Sequence, residues 1–300
     1  MQLRALVLLV LASFGFGAGN IITKAILNLG VDPMTVIPGR YLVALVILFS
    51  GLALTGRLQT PGGNAWWKGM LLGVINMAAP TILTTAGLAY IPASVTAMLV
   101  ALIPVTTVIT AHFLIAQEPM RASLLPGFLL ALVGCVFLVR GDIATGPNFG
   151  LGLGLILAGI LAASLGGALT RRFILVVPAS RLLVPQFVGA GIVVLVTALA
   201  FGGLSGLADL SSGEAWLIVL SGSVATALPF VTLLMLAEIA TAAKTSLVAY
   251  LVPLIGVTGS VTLLREALTP GLVIGGVLIL TGVVLAERAE RRQPLAVAPL

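Results

Sequence analysis

Charge is scarce in this 300-residue sequence: 15 basic and 9 acidic side chains make up only 8% of it. A soluble domain carries about 25% charged residues. So few charges cannot give a globule of this size a wettable surface. That excludes a cytosolic enzyme, a nucleic-acid-binding domain and a disordered chain. Cysteine is reduced to Cys135, so no intrachain disulfide can form and no thiolate metal cluster is expected. His112 is the single histidine, too little for a zinc site. Aromatic residues are 6% of the chain. The glycine runs at 15–19 and 150–154 follow no strand pattern and precede no Lys-Ser or Lys-Thr. They are not phosphate loops, and no ATP site is expected.

What is present is apolar: 60% hydrophobic residues and a mean hydropathy of +1.23. Charge-free stretches run over 5–23, 41–56, 69–117, 122–139, 143–170, 182–208, 215–237, 245–264 and 267–286. An apolar helix needs about 20 residues to cross a bilayer. The stretch 69–117 is therefore read as two helices broken near Tyr90-Ile91-Pro92-Ala93. Ten spans result, with 5–23 as an uncleaved first helix. Basic residues set the orientation. With the N-terminus inside, Arg4, Arg57, Lys68, Arg121, Arg171, Arg172, Arg181, Lys244, Arg288, Arg291 and Arg292 fall inside. Lys24, Arg40, Arg140 and Arg265 fall outside. Both termini are expected in the cytoplasm, in a bacterial inner membrane. Trp66, Trp67 and Trp216 fall at span ends, where indoles favour the headgroup region.

The chain repeats itself. A shift of 148 residues lays Glu118 on Glu266, Gly127 on Gly275, Gly134 on Gly282 and Lys24 on Arg172. Prolines recur within one residue of that register: Pro38 with Pro185, Pro80 with Pro229, and Pro104 with Pro253. Ala65-Trp66 returns as Ala215-Trp216. Five spans per copy force the second copy into the membrane upside down. The expected fold is an all-α membrane protein of ten transmembrane helices, as two inverted five-helix repeats around a central cavity. The repeats divide as 1–145 and 146–300, the second ending in a basic tail. Inverted repeats of this kind build many secondary transporters, with the substrate near the midplane.

The local pattern resembles the drug/metabolite transporter superfamily, specifically its EamA-type exporters. The segment LIPVTTVITAHFLIAQEP (102–119) is similar to that family's proline-kinked helix ending in an acidic residue. The family commonly has Gly-Glu there; Gln117 and Arg265 stand in place of the glycine. PGFLLALVGCVFLV (126–139) and GLVIGGVLILTGVVLA (271–286) are similar to the glycine-rich last helix of each half. The resemblance implies export of small metabolites such as amino acids. It includes an aromatic-amino-acid branch, which these motifs do not select.

All nine acids, Asp32, Glu118, Asp142, Asp209, Glu214, Glu238, Glu266, Glu287 and Glu290, fall in loops or at span ends. A proton-coupled exporter of cations usually needs a buried ionisable group. A multidrug or cation exporter is therefore the lesser alternative, and a channel lesser still, since polar residues are spread over many helices. An intramembrane enzyme would need a nucleophile–base pair or metal ligands within the spans, and none is evident. The expected substrate is neutral or zwitterionic, an amino acid first of all, carried without a cofactor. Expected partners are this substrate and the lipid bilayer, with no nucleic acid and no obligate protein partner.

The candidate cavity residues are the mid-span polar groups Asn76, Asn20, Ser164, Gln186 and Ser246, with Phe16, Met77, Met98, Pro80 and Tyr250. Asn76 ranks first, because a mid-span amide must face a neighbouring helix or a wet cavity. The alternative is an interhelical hydrogen bond. Arg40 could attract a carboxylate, although snorkelling to headgroups is the default for such a residue. Glu118 with Arg121 and Arg265 with Glu266 are expected to pair locally. Pro38, Pro80, Pro104, Pro185, Pro229 and Pro253 are candidate hinges, since proline removes a helix hydrogen bond.

Overall fold

A computed structural model describes residues 3–54, 62–115, 122–140, 148–239 and 247–291. Over these residues the chain is helical. The elements are α1 (Leu3–Asn28), α2 (Pro33–Leu54), α3 (Gly63–Leu88), α4 (Ala93–Val100), α5 (Ile103–Leu114) and α6 (Leu125–Arg140). They continue with α7 (Phe149–Ile174), α8 (Ala179–Ala200), the short α9 (Gly203–Ala208), α10 (212–239), α11 (Val248–Leu263) and α12 (Pro270–Arg291). Among the described residues eight helices are long and apolar enough to cross a membrane. α4 and α5 are a further apolar pair bent by 41°, and α11 is a shorter apolar helix. The protein is thus an integral, multi-pass membrane protein. Apolar side chains such as Leu42, Leu129 and Val196 face outward, as lipid allows.

Local chemistry places the breaks. α3 ends at Leu88 and α4 starts at Ala93, with Pro92 as the residue before its first turn. Pro92 keeps an extended backbone there and needs no N–H partner. α4 and α5 are separated at Ala101 and Leu102, and Pro104 sits in the first turn of α5, where a missing N–H costs nothing. Ser211 and Glu214 cap the start of α10 reciprocally: the Ser211 N–H donates to Glu214 Oε2 at 2.7 Å and the Glu214 N–H to Ser211 Oγ at 3.3 Å.

The helices interlock across the two sequence halves. α1 packs on α10 and α11, while α7 packs on α3 and α5. α2 packs on α10, and α8 on α3. The closest pair is α6 with α12, which cross antiparallel. A Cβ placed on Gly127 would lie 2.6 Å from the Gly282 carbonyl oxygen, and one on Gly134 would lie 2.7 Å from that of Gly275. Without side chains at these four points the backbones can touch, which is how helices associate when the solvent is as apolar as they are.

One end of the molecule is tied by charges bonded to backbone. Lys24 Nζ donates to the Leu88 carbonyl at 2.7 Å, at the end of α3. The Glu266 carboxylate accepts from the N–H groups of Ala93 and Ser94 at 2.7 and 2.9 Å, at the start of α4. Both are favourable ends for those charges. This corrects the expectation of a local Arg265–Glu266 pair. Arg265 instead adopts a left-handed backbone, φ 55°, in the turn that precedes Glu266. The expected pair of Glu118 and Arg121 lies outside the described residues.

The glycine contact makes a stability prediction. Gly134→Val drives a side chain into the α12 backbone and should destabilise the fold by about 1–3 kcal/mol, the usual range for overpacking. Gly154→Val, where a Cβ meets nothing within 4 Å, should stay within about 0.5 kcal/mol. Thermal unfolding of the detergent-purified protein checks the pair; equal effects would contradict the packing.

Candidate functional site

Two wide helical turns shape the interior. α3 contains a π-helical segment at Gly73–Ala78, and α10 contains one at Ser223–Ala227. Each ends two residues before a proline, Pro80 and Pro229, the two that match in the repeat. Proline has no N–H to offer the turn before it, so the i→i−4 ladder cannot run through unbroken. The wide turn takes up the mismatch: the Ala79 N–H bonds the Val74 carbonyl, and the Leu228 N–H bonds that of Ser223. Such bulges occur often at functional sites.

Both segments line a cavity of about 430 Å³. Its walls come from α1, α2, α3, α4, α5, α10 and α11 and the residues between α4 and α5. The polar lining is Asn20, Arg40, Asn76, Thr81, Thr84, Thr85 and Thr226. The apolar lining includes Phe16, Met77, Phe230, Leu233 and Val252. Phe16 meets Phe230 edge-on at 5.5 Å, and Phe187 backs Phe230 at 5.8 Å. The Tyr41 hydroxyl lies 3.5 Å from Thr81 Oγ1 behind the wall. Irregular backbone at membrane depth is tolerated where it borders such a space.

Arg40 is the one charged residue among the described lining residues. It does not snorkel. Its Nε and Nη2 donate to Thr226 Oγ1 at 3.2 and 3.0 Å, and its Nη1 donates to Thr23 Oγ1 at 3.2 Å. Thr226 spends its own proton on the Ser221 carbonyl, at 3.1 Å across the wide turn. Its oxygen is thereby presented to the guanidinium as an acceptor. A buried cation in a span is expensive unless it faces polar groups or a wet space.

Of the residues singled out from sequence, the structure brings Phe16, Asn20, Asn76, Met77, Pro80, Pro104 and Pro253 together at the cavity. Asn76 seats its Cβ against Gly166 of α7, and its carboxamide has no hydrogen-bond partner among the described residues. Others sit elsewhere. Met98 is buried and packs its thioether on Gly276 of α12. Ser164 is buried, donates to the Ile160 carbonyl at 2.7 Å and pairs with Thr106. Gln186 is on α8, and its backbone carbonyl lies against Gly73. Tyr250 packs against the core formed by α4, α5, α6, α7 and α12. Pro38 borders a separate apolar pocket between α2 and α8; Pro185 packs on Gly69 and Pro229 on Gly15. Ser246 lies outside the described residues. Phe230 was not singled out from sequence, although its place next to Pro229, the repeat partner of Pro80, was a usable signal.

A test of this geometry is Thr226→Val, which keeps the side-chain shape and removes the acceptor of two Arg40 donors. It should destabilise the protein by about 1–3 kcal/mol, the cost of buried donors left unpaired. Thr262→Val, on an exposed face of α11, should change little. Comparable melting temperatures for both variants would contradict the bonding seen at Arg40.

The EamA-like transporter family matches residues 3–140 and again residues 150–287. No curated protein matches. A solved crystal structure matches with a TM-score of 0.66 at 17% identity, covering 98% of this chain and 100% of its own. At that identity the likeness speaks for the fold alone.

Proposed function

The chain belongs to the EamA-like transporter family, and we propose that it exports small metabolites, amino acids first among them, as a secondary transporter working by alternating access. The observation that carries this reading is the cavity of about 430 Å³ walled by proline-interrupted helices from both sequence halves. Sites of about 300–1,000 Å³ with mostly apolar walls and a few convergent polar groups are typical for small ligands. The amides of Asn20 and Asn76 and the hydroxyls of Thr81, Thr84 and Thr85 serve as donors and acceptors. Phe16, Met77 and Phe230 receive the apolar part, which favours the aromatic-amino-acid branch.

The reading includes ten spans: the eight long helices, the bent α4–α5 rod and α11. It divides them into two inverted repeats, 1–145 and 146–300. The twofold family match and the reciprocal antiparallel contacts of Gly127 with Gly282 and Gly134 with Gly275 support that division. The basic residues favour both termini in the cytoplasm of a bacterial inner membrane. Pro80, Pro104 and Pro253 border the cavity and serve as the bending points. Cation–proton exchange is disfavoured, because the described lining holds an arginine and no carboxylate.

Proteoliposomes test this. Radiolabelled aromatic and aliphatic amino acids should show saturable uptake and accelerated counterflow. Linear, non-saturating flux would point to a channel instead. Asn76→Ala keeps the Cβ that seats on Gly166, so folding should survive. Loss of one substrate hydrogen bond should lower apparent affinity by about 2- to 10-fold. Unchanged kinetics would remove Asn76 from the site.

A further inference from the structure

Arg40 has more binding capacity than its neighbours use. A guanidinium carries five N–H donors. Three are taken by Thr226 and Thr23. One on each terminal nitrogen has no acceptor among the described residues. Those two N–H groups, on adjacent nitrogens, are free to donate to the oxygens of a carboxylate. The two threonines fix the guanidinium but are neutral, so they leave its charge uncompensated. Among the described residues no acid lines the cavity to compensate it.

We infer that Arg40 anchors the carboxylate of the transported molecule, so that the cavity selects organic acids with an apolar tail and does not require an ammonium group. This rests on the transport reading of the same cavity and goes further by naming the group that is recognised. An ammonium would find only amides and hydroxyls, which bind it without offsetting its charge. The tail has its place nearby. Phe230 stands four residues beyond Thr226 on α10, a rise of about 6 Å, with Phe16 across from it. A phenyl ring two or three carbons from a carboxylate spans that separation.

A matched series decides the matter: L-phenylalanine, 3-phenylpropionate, which lacks the amine, and 2-phenylethylamine, which lacks the carboxylate. Binding of each to the detergent-purified full chain is measured calorimetrically, and each is then tested as a competitor of uptake into proteoliposomes. The two carboxylates should bind with similar affinity, and the amine about tenfold or more weakly. Arg40→Gln should abolish that preference, and Arg40→Lys should restore part of it. Equal binding of amine and acid by the unaltered protein overturns the inference whether or not the variants fold. So does a preference that survives in Arg40→Gln. Saturable transport confined to uncharged or cationic solutes would end this inference while leaving the transporter reading intact. Carboxylate binding without saturable transport would end that reading instead.

Discussion

The lipid bilayer offers no water to a stray charge or a broken backbone hydrogen bond, and this constraint organises the molecule. Each helix must satisfy its own backbone or expose the defect to something polar. Here the defects are gathered. The wide turns at Gly73–Ala78 and Ser223–Ala227, the break before Pro104 and the in-helix Pro253 border one cavity, and Arg40 lines the same space. Away from it, Pro38 and Pro185 interrupt α2 and α8 without lining that space. Irregular backbone beside a space that polar side chains line is tolerated at membrane depth.

Close packing makes this arrangement rigid where it must be. α6 and α12 meet backbone to backbone through four glycines, none of them in the cavity lining. Glu266 and Lys24 bond helix ends of the first half from the loop after α11 and from α1. The Glu266 contact ties the start of α4 to the second half through backbone N–H groups. The cavity wall, in contrast, is built from helices with prolines and wide turns. Those are the segments whose backbone can change shape with the fewest hydrogen bonds lost.

Much of this was legible in the sequence. The helices, the break before Pro92 and the repeat followed from charge-free stretches and from matched prolines and glycines. Asn76, Asn20 and Pro80 stand out as polar or proline residues within apolar spans, and Phe16 and Met77 as an aromatic and a methionine there; all five line the cavity. Arg40 was harder. A lone arginine near a span end usually reaches for headgroups, and only the pairing of α2 with α1 and α10 brings Thr23 and Thr226 within its reach. In sequence Ser164 looks as polar for its span as Asn76 does, and Met98 and Tyr250 look as suited to an apolar pocket as Met77 and Phe16. Which way a helix face turns depends on its neighbours, and hydropathy is nearly uniform around these helices. Glu266 looks like half of a local ion pair because sequence shows its neighbour Arg265 and not the distant start of α4.

The proposed alternating exposure of the chamber can be tested directly. A cysteine at Thr84, on the cavity wall, is introduced into a Cys135→Ala background and reconstituted in vesicles of one orientation. Membrane-impermeant thiol reagents are then applied from either face. The account predicts labelling from both faces, with a transported solute on one side shifting the balance between them. Labelling from one face only, unchanged by any solute, would contradict it.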